Sequence, residues 1–108
     1  MEGIVIFADE KLKEAYENLR EIDKDLYDQI DKATDEIKNN IFCGRNVKKK
    51  LIPKSFIQKY GIDNLWIYNL RSGWRLLYSV TSPDKIQIYA IVLDYMSHKD
   101  YERLFGFQ

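Results

Sequence analysis

Apolar residues recur along this chain with two different periods, and the change from one to the other divides it. Gly3-Ile4-Val5-Ile6-Phe7 is a short β-branched and aromatic run, bounded by Ala8 and Asp9, and predicts one strand. Asp9 then supplies a helix N-cap, with Glu10 in the first turn where a carboxylate favours the unpaired N–H groups. Leu12, Ala15, Tyr16 and Leu19 follow at helical spacing, while Lys11, Lys13, Glu14 and Glu17 take the opposite face. Asp23 is a second cap. After it Leu26, Ile30, Ala33, Ile37 and Ile41 form a second apolar stripe, continuing to about Asn40, with Gly44 placed to stop the helix.

From Arg45 the helical period is lost. Val47-Lys48-Lys49-Lys50-Leu51-Ile52-Pro53-Lys54 is a basic stretch in which Pro53 disfavours helix for the residue before it, so a loop or extended segment is expected. Ser55 to Tyr60 predicts a brief helical turn ending at Gly61. Three strand-like runs follow, at 65–70, 74–80 and 86–93, separated by the turn signals Arg71-Ser72-Gly73 and Thr81-Ser82-Pro83-Asp84. The residues from Asp94 onward predict a loop and short helix. A lone first strand would leave its backbone groups unmatched, so it is expected to join the three-strand meander. The reading is an α+β fold over residues 1–108, a single domain in which a two-helix hairpin packs on a four-stranded, mainly antiparallel sheet.

Composition narrows this further. At 108 residues, 45% hydrophobic and 31% charged, the chain is of a size and mixture that supports one packed core. No apolar run approaches the roughly 20 residues that cross a bilayer, and the start lacks the features of a secretory signal, so a cytoplasmic, membrane-free protein is expected. The lone Cys43 has no Cys or His at zinc-ligand spacing and reads as a packing residue near a helix end. Net charge is zero but unevenly spread: residues 9–38 carry 11 acidic against 6 basic side chains, and residues 39–108 carry 5 against 11. Any contact with nucleic acid is therefore expected from the second half.

Period-2 alternation in the middle strand puts Trp74, Leu76, Tyr78 and Val80 on one face and Arg75, Leu77 and Ser79 on the other. Arg75 in such a strand needs either an acidic or backbone partner or an anion on a concave surface. Arg71 lies four residues earlier, at the turn. His98 is the only histidine and the side-chain type that changes charge near physiological pH, and Tyr101 follows it three residues on, at helical spacing. No metal cluster, glycine-rich phosphate loop or serine-nucleophile elbow is present in the sequence, so neither a metal nor a cofactor is expected.

The order of elements, the segment Leu65-Trp66-Ile67-Tyr68-Asn69-Leu70-Arg71-Ser72-Gly73-Trp74-Arg75-Leu76-Leu77-Tyr78 and the ending His98-Lys99-Asp100-Tyr101 resemble the RelE/ParE superfamily of toxins from type II toxin–antitoxin systems. The resemblance spans almost the whole chain, its most specific part being the hairpin with an aromatic-Arg-Leu-x-Tyr second strand. It implies a small α+β toxin bound by a cognate antitoxin protein. In the RelE branch it implies a metal-independent endoribonuclease that cuts mRNA on the ribosome. On that resemblance Arg75 corresponds to the arginine beside the scissile phosphate, Arg71 to a second basic position, and His98 or Tyr101 to the residue used for proton transfer or base stacking. RelE itself carries lysines on the strand leading into the hairpin, where this chain has Ile67 and Asn69; Lys48, Lys49, Lys50 and Lys54 are candidates to replace them as RNA contacts. The ParE branch, which inhibits DNA gyrase, and a noncatalytic partner-binding module share the fold and stay as alternatives.

Overall fold

The structure, a computed structural model, describes residues 3–84 and 86–106. Both expected caps form: Leu12 N–H donates to the Asp9 carboxylate at 2.8 Å, and Leu26 N–H to Asp23 at 3.2 Å. They open α1 (Glu10–Ile22) and α2 (Lys24–Asn39), which follow β1 (Ile4–Phe7). Next come β2 (Arg45–Asn46), a 3-10 turn at Lys49–Leu51, α3 (Lys54–Tyr60) and β3 (Trp66–Asn69). A second 3-10 turn, Arg71–Gly73, leads to β4 (Arg75–Thr81), β5 (Tyr89–Met96) and α4 (His98–Phe105). The sheet runs β1-β5-β4-β3-β2, with β1 parallel to β5 and the other pairs antiparallel.

Two apolar layers lie on either side of this sheet. On one face Tyr16, Leu19, Leu26, Ile30, Ala33 and Ile37 of the helical hairpin bury against Leu76, Tyr78, Ala90 and Val92. On the other, Leu77, Ile67 and Leu93 pack under α3 and α4 through Phe56 and Tyr101. The alternation read along β4 holds, since Leu76 and Tyr78 enter the first layer and Leu77 the second.

Four details depart from the sequence reading. The sheet has five strands, because Arg45–Asn46 pairs with β3 at the far edge. The last meander strand starts at Tyr89 and continues through Met96, leaving Ile86 88% exposed in the approach and moving Tyr95 and Met96 from the expected tail into the sheet. Gly44 does not stop the helix, which ends at Asn39 with Asn40 as its C-cap. It serves close packing instead: a Cβ there would sit 2.7 Å from the Tyr78 hydroxyl and 3.0 Å from the Ile67 carbonyl. Cys43 is exposed, not a packing residue, and partial desolvation raises its thiol pKa, which leaves it a weak nucleophile.

Pairing also slips by one residue between β4 and β5: Leu77 faces Asp94 while Tyr78 faces Val92. Leu93 is thus the extra residue of a β-bulge. The bulge turns Asp94 toward the side covered by α3 and α4, and this matters for its charge.

Candidate functional site

Arg75 opens β4 directly across from Met96, the last residue of β5. Ser97 then caps α4 by accepting from Asp100 N–H at 3.3 Å, so His98 begins a helix two residues beyond the cross-strand partner of Arg75. The turn before β4 closes tightly on that helix start. Gly73 has φ +80°, and a Cβ on it would lie 2.9 Å from the His98 Cβ, so only glycine brings the two segments together.

The result is a cluster drawn from four parts of the chain. Arg75 Nη1 donates to the Gly73 carbonyl at 2.6 Å, its Nη2 lies 3.3 Å from His98 Nδ1, and its Cζ sits 4.9 Å from the centre of the Tyr101 ring. Arg75 Nε is buried without a hydrogen-bond partner among the described residues. His98 Nε2 lies 3.3 Å from Glu102 Oε1, one helical turn on. A guanidinium only donates, so Nδ1 accepts from Arg75, and the ring proton sits on Nε2, from which it is donated to Glu102. Tyr101 is only 6% exposed, with Phe105 at 4.8 Å between ring centres, and its hydroxyl accepts from Arg45 Nη2 at 3.0 Å. Its ring is covered, so a base cannot stack there unless Arg75 or Phe105 moves. Of the two C-terminal candidates for proton transfer, His98, with a side chain 55% exposed, is the one open to solvent.

The other basic candidates lie elsewhere. Arg71 turns to the helical face, where it pairs with Asp25 at 2.7 Å and its backbone N–H donates to Gln29 at 2.6 Å. It borders a groove of about 320 Å³ that Lys32, Glu36 and Tyr68 also line. Lys48 and Lys49 line a separate hollow of about 310 Å³ with Asp63 and Asn64, and Asn64 bonds the Val80 carbonyl, at the opposite end of β4 from Arg75. Lys50 and Lys54 are exposed in the same segment. Neither Arg75 nor Arg45 forms an ion pair among the described residues. Two residues of the cluster were missed from sequence. Glu102 stands four after His98, a spacing that signals a helical pair. Arg45 is found only through its contact across 56 positions.

Beyond the cluster lies a hollow of about 420 Å³ between β5, α3 and α4, lined by Phe56, Met96, Leu104, Asp94 and Asp100. Burial raises the Asp94 carboxyl above its ordinary 3.8, with Asp100 and Asp9 adding to the rise and the Tyr95 N–H and Lys59 opposing it. The folded state therefore holds the Asp94 proton more tightly than the unfolded chain. Its contribution to stability is greatest below the ordinary pKa and is lost as pH rises through the raised one. Asp94→Asn, whose amide oxygen can still accept from Tyr95, should melt higher than the parent at pH 7. That advantage should shrink in thermal scans as pH falls through the raised pKa toward 3.8.

Among the described residues no helix is long and apolar enough to cross a membrane, and no group of three His, Cys, Asp or Glu could hold a metal ion. Comparison with protein-family models, curated proteins and solved structures found no match for this chain.

Proposed function

We propose that this chain is a toxin of a type II toxin–antitoxin pair that cleaves mRNA on the ribosome, with Arg75 and His98 at the reacting phosphate. The observation that carries the reading is the meeting of Arg75, His98 and Tyr101, three residues singled out for this chemistry from sequence, around one partly buried guanidinium that has no carboxylate partner among the described residues. The 2′-hydroxyl oxygen attacks the adjacent phosphorus and loses its proton to solvent, the P–O5′ bond breaks, and His98, doubly protonated once the phosphate has drawn the Arg75 donor away from Nδ1, gives a proton to the leaving 5′ oxygen. The products are a 2′,3′-cyclic phosphate and a 5′-hydroxyl. Arg75 offsets the charge that develops on the phosphate, and Tyr101 holds the arginine in place from below.

A cognate antitoxin is the expected protein partner, and the exposed Ile4, Ile6 and Ile57 offer apolar surface for an amphipathic helix. One observation favours the noncatalytic alternative: Ile67, where RelE has a lysine, is 1% exposed and part of the core, so β3 brings no cation to the site. The two readings separate in a cleavage assay on mRNA-programmed ribosomes. His98→Gln should slow cutting at neutral pH and flatten the alkaline limb of the pH profile, where a general acid loses its proton. Equal rates for parent and variant at every pH would remove His98 from the mechanism.

A further inference from the structure

Arg45 sits on the two-residue edge strand β2, in register with Ile67, which in turn pairs with Leu77 of β4. Residues directly opposite each other in a ladder share a face, so the three form one row on the side covered by α4. Arg75 lies two residues before Leu77 on the same strand and hence on that face too. The row explains how an arginine from the sheet's far edge reaches the Tyr101 hydroxyl at 3.0 Å while Arg75 lies over the ring. Arg45 is exposed, and among the described residues that bond is its one side-chain hydrogen bond, although a guanidinium carries five N–H donors. A latch between β2 and α4 would need only a neutral donor. A guanidinium with unused donors and no carboxylate among the described residues, beside a second such group, has the chemistry to seat an anion.

We infer that Arg45 is a second substrate-binding residue of this site, contacting the backbone phosphate next to the one held by Arg75, with Tyr101 as the positioning residue that sets the spacing of the two guanidinium groups. Arg75 lies over the Tyr101 ring and Arg45 bonds the hydroxyl at its far end, so one side chain holds the two guanidinium groups apart. The inference rests on the RNA-cleaving reading of the site, and it puts the cation that β3 lacks on the neighbouring strand, opposite Ile67.

The test is binding of a single-stranded oligoribonucleotide carrying 2′-O-methyl groups throughout, which cannot be cut, followed by fluorescence anisotropy over a range of salt. Arg45→Ala should weaken binding about tenfold and lower the slope of log affinity against log salt by about 0.7, the value for one phosphate contact on a single strand. Arg45→Lys should restore the slope but not the full affinity, because an ammonium supplies charge without the fork. Tyr101→Phe keeps the ring and removes the hydroxyl. It should reproduce part of the Arg45→Ala loss and add nothing to it in the double variant. Melting temperatures near the parent's would show that the variants fold. If Arg75→Ala weakens binding and Arg45→Ala changes neither affinity nor slope, the inference is overturned while the phosphate site at Arg75 stands. If the parent protein does not bind the oligomer even at low salt, the inference is overturned, while cleavage on the ribosome is judged separately by the cleavage assay.

Discussion

Arg75→Ala is expected to slow mRNA cleavage by about 10²-fold or more, the loss seen when a preorganised donor to a developing oxyanion is removed. Its effect should fall on kcat as well as on binding, because the charge Arg75 offsets is largest in the transition state. Arg75→Lys should recover only part of the rate. An ammonium cannot at once bond the Gly73 carbonyl, meet His98 Nδ1 and lie flat over Tyr101, as the guanidinium does. Arg71→Ala is the matched control. Its side chain is 70% exposed and paired with Asp25 on the opposite side of the sheet, so cutting should proceed at close to the parent rate. A fall in rate with Arg71→Ala equal to that with Arg75→Ala would mean that the RNA crosses the helical face instead.

The largest effect on stability is expected at Tyr78. Its side chain is fully buried, and its hydroxyl donates to the Ile41 carbonyl at 2.9 Å while accepting from Gly44 N–H at 3.0 Å. That one oxygen ties the end of the helical hairpin to the central strand and fixes where β2 begins. Tyr78→Phe leaves a buried donor and a buried acceptor unpaired, at a cost of about 2–4 kcal/mol in total. For a domain of this size that lowers Tm by roughly 10 °C or more. Gly44→Ala should destabilise as well, since its Cβ would press on the same hydroxyl. Combined with Tyr78→Phe it should cost less than the sum of the two, because the second change removes the atom that the first collides with. Strict additivity in chemical denaturation would show that the Gly44 contact is not what couples them.

The helical hairpin was readable because its signals are local and repeat. Asp9 and Asp23 cap where their position demands, and Leu26, Ile30, Ala33 and Ile37 all enter the core. Alternation along β4 likewise placed Arg75 and Leu77 on one side. What stayed hidden depends on distant neighbours. A two-residue strand such as Arg45–Asn46 is too short to show a period. The bulge at Leu93 breaks the alternation of β5 and sends Asp94 to a buried face, although the run around it reads as an even strand. Gly44 resembled a helix stop because nothing nearby reveals that Tyr78, 34 positions away, requires the space. In the site, Arg75, His98 and Tyr101 could be nominated from residue type and spacing. The pairing of Arg71 with Asp25 across 46 positions, which draws it to the other face, could not.

In the proposed reaction Arg75 and His98 together cleave a phosphodiester through attack of its 2′-hydroxyl, and the new RNA ends carry the signature of that chemistry. The protein is added to mRNA-programmed ribosomes, cut sites are mapped by primer extension, and the termini are identified. Codon-positioned cuts bearing a 2′,3′-cyclic phosphate and a 5′-hydroxyl are expected, lost with Arg75→Ala and retained with Arg71→Ala. Intact mRNA in the presence of the folded parent protein, or cuts that persist with Arg75→Ala, would contradict the proposed reaction.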